Sequence, residues 1–270
     1  MRILISADIE GISGVMSPEQ TSPGSGEYER ARLLMTREVN AAVEGALEGG
    51  ATEIWVADGH GQYNNILLEE LGACLVSGKP RLFGMMGGLD CGPWDGLFLI
   101  GYHARAGAHG VLAHTINGSA FAEVRINGAP VGEYYLNGLL AGEYDVPVRL
   151  ISGDDRLAEE AVSVYPNAEI VTVKRALSTR AAVHQPIGVV HKALHVAAQK
   201  ALRNVSCKPL KLAGPFSVQV STVRTYHADL FCMLPGAKRL SPTCLEFIAD
   251  TPFAISRTLN CFSSMAASVH

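Results

Sequence analysis

Short apolar runs alternate along this chain with longer stretches in which apolar residues return every three or four positions. The runs read as buried strands and the stretches as amphipathic helices. Residues 2–7 predict a first strand. The polar Gly-, Ser- and Pro-containing stretch 8–26 that follows is too long for an ordinary connection and is expected to be a functional loop. Between residues 27 and 48, Tyr28, Ala31, Met35, Val39, Ala42 and Ala46 form a helical stripe, closed by Gly49-Gly50 where a left-handed cap would fall. Further strands are predicted at 53–57, 97–100, 148–151 and 170–173. Helices are predicted at about 133–144, from Asp154 or Asp155 onward, and at 188–203. The Gly-rich segment 84–96 reads as a mobile loop. Residues 124–126 and 129–131 read as a hairpin about Asn127-Gly128, with Pro130 marking an edge strand.

This alternation predicts an α/β fold: a mainly parallel sheet flanked by helices. Residues 207–214, with Pro209 and Pro215 nearby, look like a boundary. We therefore expect a catalytic α/β domain over 1–206 and a smaller α+β lobe over 207–270, with strands near 217–223 and 244–248 and a last helix near 252–262. At 270 residues, 48% hydrophobic and 18% charged, the chain has material for a sizeable core. Its net charge of −4, without a basic cluster, argues against nucleic acid or an anionic membrane as partner. No apolar run approaches the ~20 residues that span a bilayer. The N-terminus meets Asp8 at once and reads as a strand, not a signal peptide. Six cysteines, none in a C-x-x-C pair, are expected to be reduced and mostly buried in a cytoplasmic protein. A metal would then be held by oxygen and imidazole nitrogen.

Three predicted strands run straight into such groups: Asp8-Ile9-Glu10-Gly11, Asp58-Gly59-His60-Gly61 and Gly101-Tyr102-His103-Ala104-Arg105. In an open α/β sheet, ligands bind beyond the carboxyl ends of the strands. Asp8, Glu10, Asp58, His60 and His103 are thus expected to converge, although any one of them alone would pass for a helix cap or a hydrogen-bonded loop residue. Carboxylate and imidazole without thiolate suit zinc, manganese or iron, and the set also matches a two-metal site. His114 follows His103 closely enough to return to the same crevice, either as a general acid or base or as a hydrogen-bonded structural residue. His191 and His195 lie four apart on a predicted helix but have no acid beside them in sequence, and read as a solvated face; His109, His184, His227 and His270 show no ligand-like company. Arg30 and Arg32 are either surface charges or partners for a substrate carboxylate. Phosphate-loop, dinucleotide, nucleophile-elbow and H-E-x-x-H motifs are all absent; Gly11-Ile12-Ser13-Gly14 is one residue short of G-x-S-x-G.

Asp8-Ile9-Glu10-Gly11-Ile12-Ser13-Gly14, Tyr28-Glu29-Arg30-Ala31-Arg32, Asp58-Gly59-His60-Gly61, Asn64-Asn65, Gly101-Tyr102-His103-Ala104-Arg105-Ala106 and Pro130-Val131-Gly132-Glu133 together resemble the D-aminopeptidase family, zinc metallopeptidases associated with bacterial dipeptide-transport operons. The likeness extends to Gly153-Asp154-Asp155-Arg156 and loosens after about Pro209; residues 117–123 depart from the pattern. The resemblance implies two Zn²⁺ per subunit, with Asp8 bridging both and Glu10, His60, His103 and Glu133 as the remaining ligands. It implies His114 as the catalytic histidine, acid/base or nucleophile. Asp58, not a ligand in the family, becomes a residue that orients His60. The implied activity is hydrolysis of short peptides with an N-terminal D-amino acid by a metal-held hydroxide, in a homo-oligomer built as a decameric ring. Two other readings use the same residues: a two-metal hydrolase of another bond, phosphoester or cyclic amide, and a non-catalytic module whose metals anchor a small carboxylate ligand.

Overall fold

The computed structural model describes residues 1–269; the reading of His270 lies outside them. In chain order the elements are β1 (Arg2–Ala7), α1 (Gly26–Glu48), β2 (Glu53–Asp58), β3 (Cys74–Val76), β4 (Gly96–Tyr102), β5 (Phe121–Ile126), β6 (Ala129–Pro130), α2 (Glu133–Glu143), β7 (Val148–Asp154), α3 (Asp155–Val164), β8 (Glu169–Ser178), β9 (Ala181–His184), α4 (Ile187–Arg203), β10 (Phe216–Thr222), α5 (Thr225–Phe231), β11 (Lys238–Ser241), β12 (Cys244–Ala249) and α6 (Pro252–Ala266).

A seven-stranded sheet in the order β3-β2-β1-β4-β7-β8-β9 is parallel except for β9. Its central strands β1 and β4 are near-continuous apolar runs because both of their faces are covered. Ile3 and Ile5 join the core under α1 and α4, while Leu4, between them, joins the core under α2 and α3. The helix after β1 therefore lies on one face and the helix between β4 and β7 on the other. The strand order reverses between β1 and β4, and a crevice opens at such a switch point. The predicted α/β class with a mainly parallel sheet stands.

A second, antiparallel sheet runs β11-β12-β10-β5-β6. Asn127 (φ 50°) and Gly128 (φ 83°) turn β5 into β6, the left-handed pair that an Asn-Gly hairpin requires. Phe216, Val218 and Val220 of β10 face the same core as Phe231 of α5 and Leu259 and Phe262 of α6.

Two expectations need correction. Residues 84–96 are packed, not mobile: Met86, Leu89 and Trp94 are buried, and the Trp94 indole donates to the Gly88 carbonyl at 3.0 Å. The cysteines are free as expected but not mostly buried; Cys207 is buried, whereas Cys74, Cys91 and Cys261 are exposed.

Candidate metal centre

The register of the parallel sheet creates the site. Ala7 pairs with Asp58 on β2 and with Ile100 on β4, so the residues just past all three strands emerge at one edge. Asp8 and Glu10 follow β1, His60 follows β2 and His103 follows β4. The first loop lies tightly on the third strand: Gly11 N donates to the Gly101 carbonyl at 2.7 Å, and a Cβ on Gly11 would overlap the backbone there. Gly101 itself sits at φ +72°, so both glycines are required by the close approach.

Asp8, Glu10, His103 and Glu133 are buried and His60 nearly so. The two oxygens of Asp8 face different imidazoles: Oδ1 lies 3.4 Å from His60 Nδ1 and Oδ2 lies 3.3 Å from His103 Nε2. His60 Nδ1 is also 2.9 Å from Glu10 Oε2, and His103 Nε2 is 3.6 Å from Glu133 Oε1. His114 Nε2 is 3.6 Å from the same Glu133 oxygen, and its ring stacks on that of His103 with centroids 4.2 Å apart. Two trios share His103, namely Asp8, Glu10, His103 and His103, His114, Glu133, each with ligand atoms within 4.8 Å of one another.

Each imidazole is pinned through its far nitrogen to a main-chain carbonyl: His60 Nε2 to Thr21 at 2.7 Å, His103 Nδ1 to Ala104 at 2.9 Å and His114 Nδ1 to Leu112 at 2.9 Å. A carbonyl only accepts, so these nitrogens carry the protons and the opposite nitrogens face the crevice. Glu10 Oε2 and His103 Nε2 are buried with no partner in hydrogen-bond geometry. Atoms close in distance but misaligned with one another converge on shared space. That arrangement, with hard oxygen and imidazole donors only, fits zinc. Burial would raise Asp8, but the His103 and His60 imidazoles beside it hold it well below the usual carboxylate range. Burial likewise opposes charge on His60 and His103, yet the surrounding carboxylates drive both well above the ordinary imidazole value. A divalent cation exchanging with those protons would satisfy the same carboxylates.

Glu133 opens α2, and its Oε1 accepts from Ile116 N at 2.5 Å, tying the His114 loop to the site. Strand-end reasoning on the sequence did not find it, because its approach depends on the second sheet. Asp58 does not orient the His60 ring. It accepts from Asn65 N, Asn65 Nδ2 and Ile66 N at 2.5–2.8 Å and shapes the loop; Thr21, in the long polar loop after β1, takes the ring proton instead. Arg32 bonds the carbonyls of Asn64 and Asn65 and serves that same loop, while Arg30 is exposed. His195, read as having no acid near it, lies 3.2 Å from Glu48 where α4 packs on α1; the pair is remote in sequence.

The sequence reading also missed what lies behind the loop. Lys174 of β8 is fully buried and donates to the carbonyls of Glu10 (2.5 Å), Ile12 (2.9 Å) and Val15 (2.6 Å). Glu38 of α1, also buried, accepts from Ser13 N at 2.8 Å. Burial pushes Glu38 up to about 7 from 4.5, against the pull of Ser13 and Lys174. An acid raised on folding stabilises below its unfolded value and loses that contribution as pH rises through the folded one. This group is therefore expected to cost about 3 kcal/mol of stability between pH 5 and 8. Glu38→Gln keeps the acceptor for Ser13 and removes the ionisation, so its thermal stability should lack that fall. Parallel pH profiles for the two proteins would refute the assignment.

The crevice opens into a cleft lined by Asp8, His60, His114 and Glu133, by Tyr63, Lys79 and Met85, and by Ser256, Leu259, Asn260 and Ser263 of α6. The last helix thus walls the site, a role with no local sequence signal.

A profile of the D-aminopeptidase family matches residues 1–261. A D-aminopeptidase of Bacillus subtilis (strain 168) is 42% identical over 183 residues, which is 67% of this chain and 66% of that relative, just under two thirds of its length. Among solved structures, the Zn-dependent D-aminopeptidase DppA from Bacillus subtilis, a self-compartmentalizing protease, superposes with a TM-score of 0.95 at 33% identity. That match covers 100% of this chain and 99% of the other.

Proposed function

This chain belongs to the D-aminopeptidase family, and from that premise we propose that it is a zinc-dependent aminopeptidase cleaving short peptides that begin with a D-amino acid. Asp8, Glu10, His60, His103 and Glu133 would hold two zinc ions, and His114 would act on the substrate. The observation that carries this reading is the split of the Asp8 carboxylate between two imidazoles, each fixed from behind by a carbonyl. A single-ion site gives no reason for one buried acid to serve two such partners, and a bridging carboxylate is the usual element of a paired site.

When bound, the ions supply Lewis acidity toward the peptide carbonyl and a nucleophile available at neutral pH. The chain's own groups do the rest. Thr21 and Ala104 fix the rings of His60 and His103, holding their inner nitrogens in place. The Leu112 carbonyl accepts from Nδ1–H of His114, so Nε2 faces the cleft as a base that can take a proton from the attacking water and pass it to the departing amine. The His114 loop is held by Val111 N on Asp154 and by Ile116 N on Glu133, which keeps that nitrogen in position.

We also propose a homo-oligomer, a decameric ring, in keeping with the self-compartmentalizing relative. A cytoplasmic setting suits three exposed free thiols, Cys74, Cys91 and Cys261.

The deciding experiment is elemental analysis of the purified protein, paired with assays on matched D- and L-dipeptides before and after chelation. We expect about two zinc ions per chain, cleavage of D-Ala-D-Ala, its loss with chelator and its return with zinc. Preference for the L-dipeptide, or turnover of a phosphodiester instead, would overturn the reading.

A further inference from the structure

Two cations stack on one aromatic ring beside the cleft. Lys79 Nζ lies 4.3 Å and Arg81 Cζ 4.1 Å from the centroid of Tyr63. Arg81 is occupied: its guanidinium donates to the carbonyls of Gly84 (2.6 Å), Val76 (2.9 Å) and Asp58. Lys79 has no such commitment. Lys79 is exposed at the mouth of the cleft; partial desolvation and the neighbouring Arg81 lower its ammonium below the ordinary lysine value, and among the described residues no carboxylate pairs with it. Among the described residues it is the one lysine or arginine lining the metal cleft, whose other charged walls are the acids and imidazoles of the site. An adjoining hollow shares Tyr63, Lys79, Asn260 and Ser263 with the cleft and continues to Arg81. A cation left unpaired, at slight electrostatic cost, beside neutral donors and continuous with an acidic centre is the complement of a ligand bearing a carboxylate.

We propose that Lys79, with Asn260 and Ser263 beside it, forms a subsite for the C-terminal carboxylate of the peptide. This inference rests on the peptidase reading above and sharpens its substrate class to peptides with a free C-terminus. Only a peptide short enough to meet the metal centre with its scissile bond and Lys79 with its terminal carboxylate gains from both ends. Each added residue lengthens the span by about 3.3–3.6 Å. Short substrates are thus selected within a single subunit.

The test compares D-Ala-D-Ala with its C-terminal amide on the zinc-loaded protein, on Lys79→Met and on Lys79→Arg. The wild type is expected to favour the free acid about tenfold in kcat/KM, the scale of one hydrogen bond to a charged group. Lys79→Met should lose that preference through KM, and Lys79→Arg should keep most of it. An unchanged acid-to-amide ratio in Lys79→Met overturns the proposal. Calorimetric binding of both peptides to the zinc-loaded protein reads the same ratio without turnover, so the subsite stands or falls on it even if neither peptide is cleaved. Absence of cleavage counts against the peptidase reading alone.

Discussion

Asp8→Ala is expected to lose bound metal and turnover together. Among the described residues, Asp8 alone has two carboxylate oxygens that each lie within 3.4 Å of a different imidazole, His60 mostly buried and His103 fully so. Its removal leaves His60 and His103 without their common anion, in a place where burial already disfavours their charged forms. Loss of one preorganised electrostatic group in a dry site typically costs on the order of 10²–10³ in kcat. On the proposed two-zinc reading both ions would depend on the group, so the loss should reach at least the upper end. Zinc content by elemental analysis should fall for both ions and not for one, with far-UV circular dichroism unchanged because Ile9 N is the single backbone donor released. A variant that keeps a full complement of zinc would end the bridging assignment.

His114→Ala is expected to behave in the opposite way, with activity lost and metal retained. The inner nitrogen of His114 lies 3.6 Å from Glu133, and the side chain is part-exposed to the cleft, whereas His103 behind it is buried. Removal of a positioned acid or base costs about 10²–10⁴-fold. The geometry also admits His114 to a ligand trio with His103 and Glu133, so the metal content of this variant separates the two roles. Zinc near the wild-type level with turnover reduced at least a hundredfold assigns the proton-moving role. Zinc lost makes His114 a ligand, and full turnover removes it from the chemistry.

Most of this arrangement could be anticipated from residues that follow strands. Parallel pairing of β1 with β2 and β4 carries Asp8, His60 and His103 to one edge because each follows its own strand within one or two positions. Glu133 obeys a different rule. Its helix starts after β6, and β5 reaches its place by pairing with β10, with Val124 opposite Val220. Nothing in the local pattern encodes a partner so distant. The same holds for α6, whose polar residues at 256, 260 and 263 look like an ordinary solvated face until packing turns them toward the cleft. Glycine content misled at 84–96, where Gly88 at φ +87° allows a tight turn that buries Leu89. Asp58 misled because an acid beside a histidine in sequence points to a side-chain pair, whereas its oxygens accept from the backbone amide of His60 and from those seven and eight residues on.

Lys174 carries a consequence for how the centre is loaded. One buried ammonium ties together the carbonyls of Glu10, Ile12 and Val15 in the loop that bears Asp8 and Glu10. The ordering entropy of that loop is met when the protein folds and not when an ion arrives. Metal exchange can then proceed on a rigid frame, with affinity set by the ion's fit to fixed donors, so that selectivity among cations is a property of the scaffold as much as of the ligands.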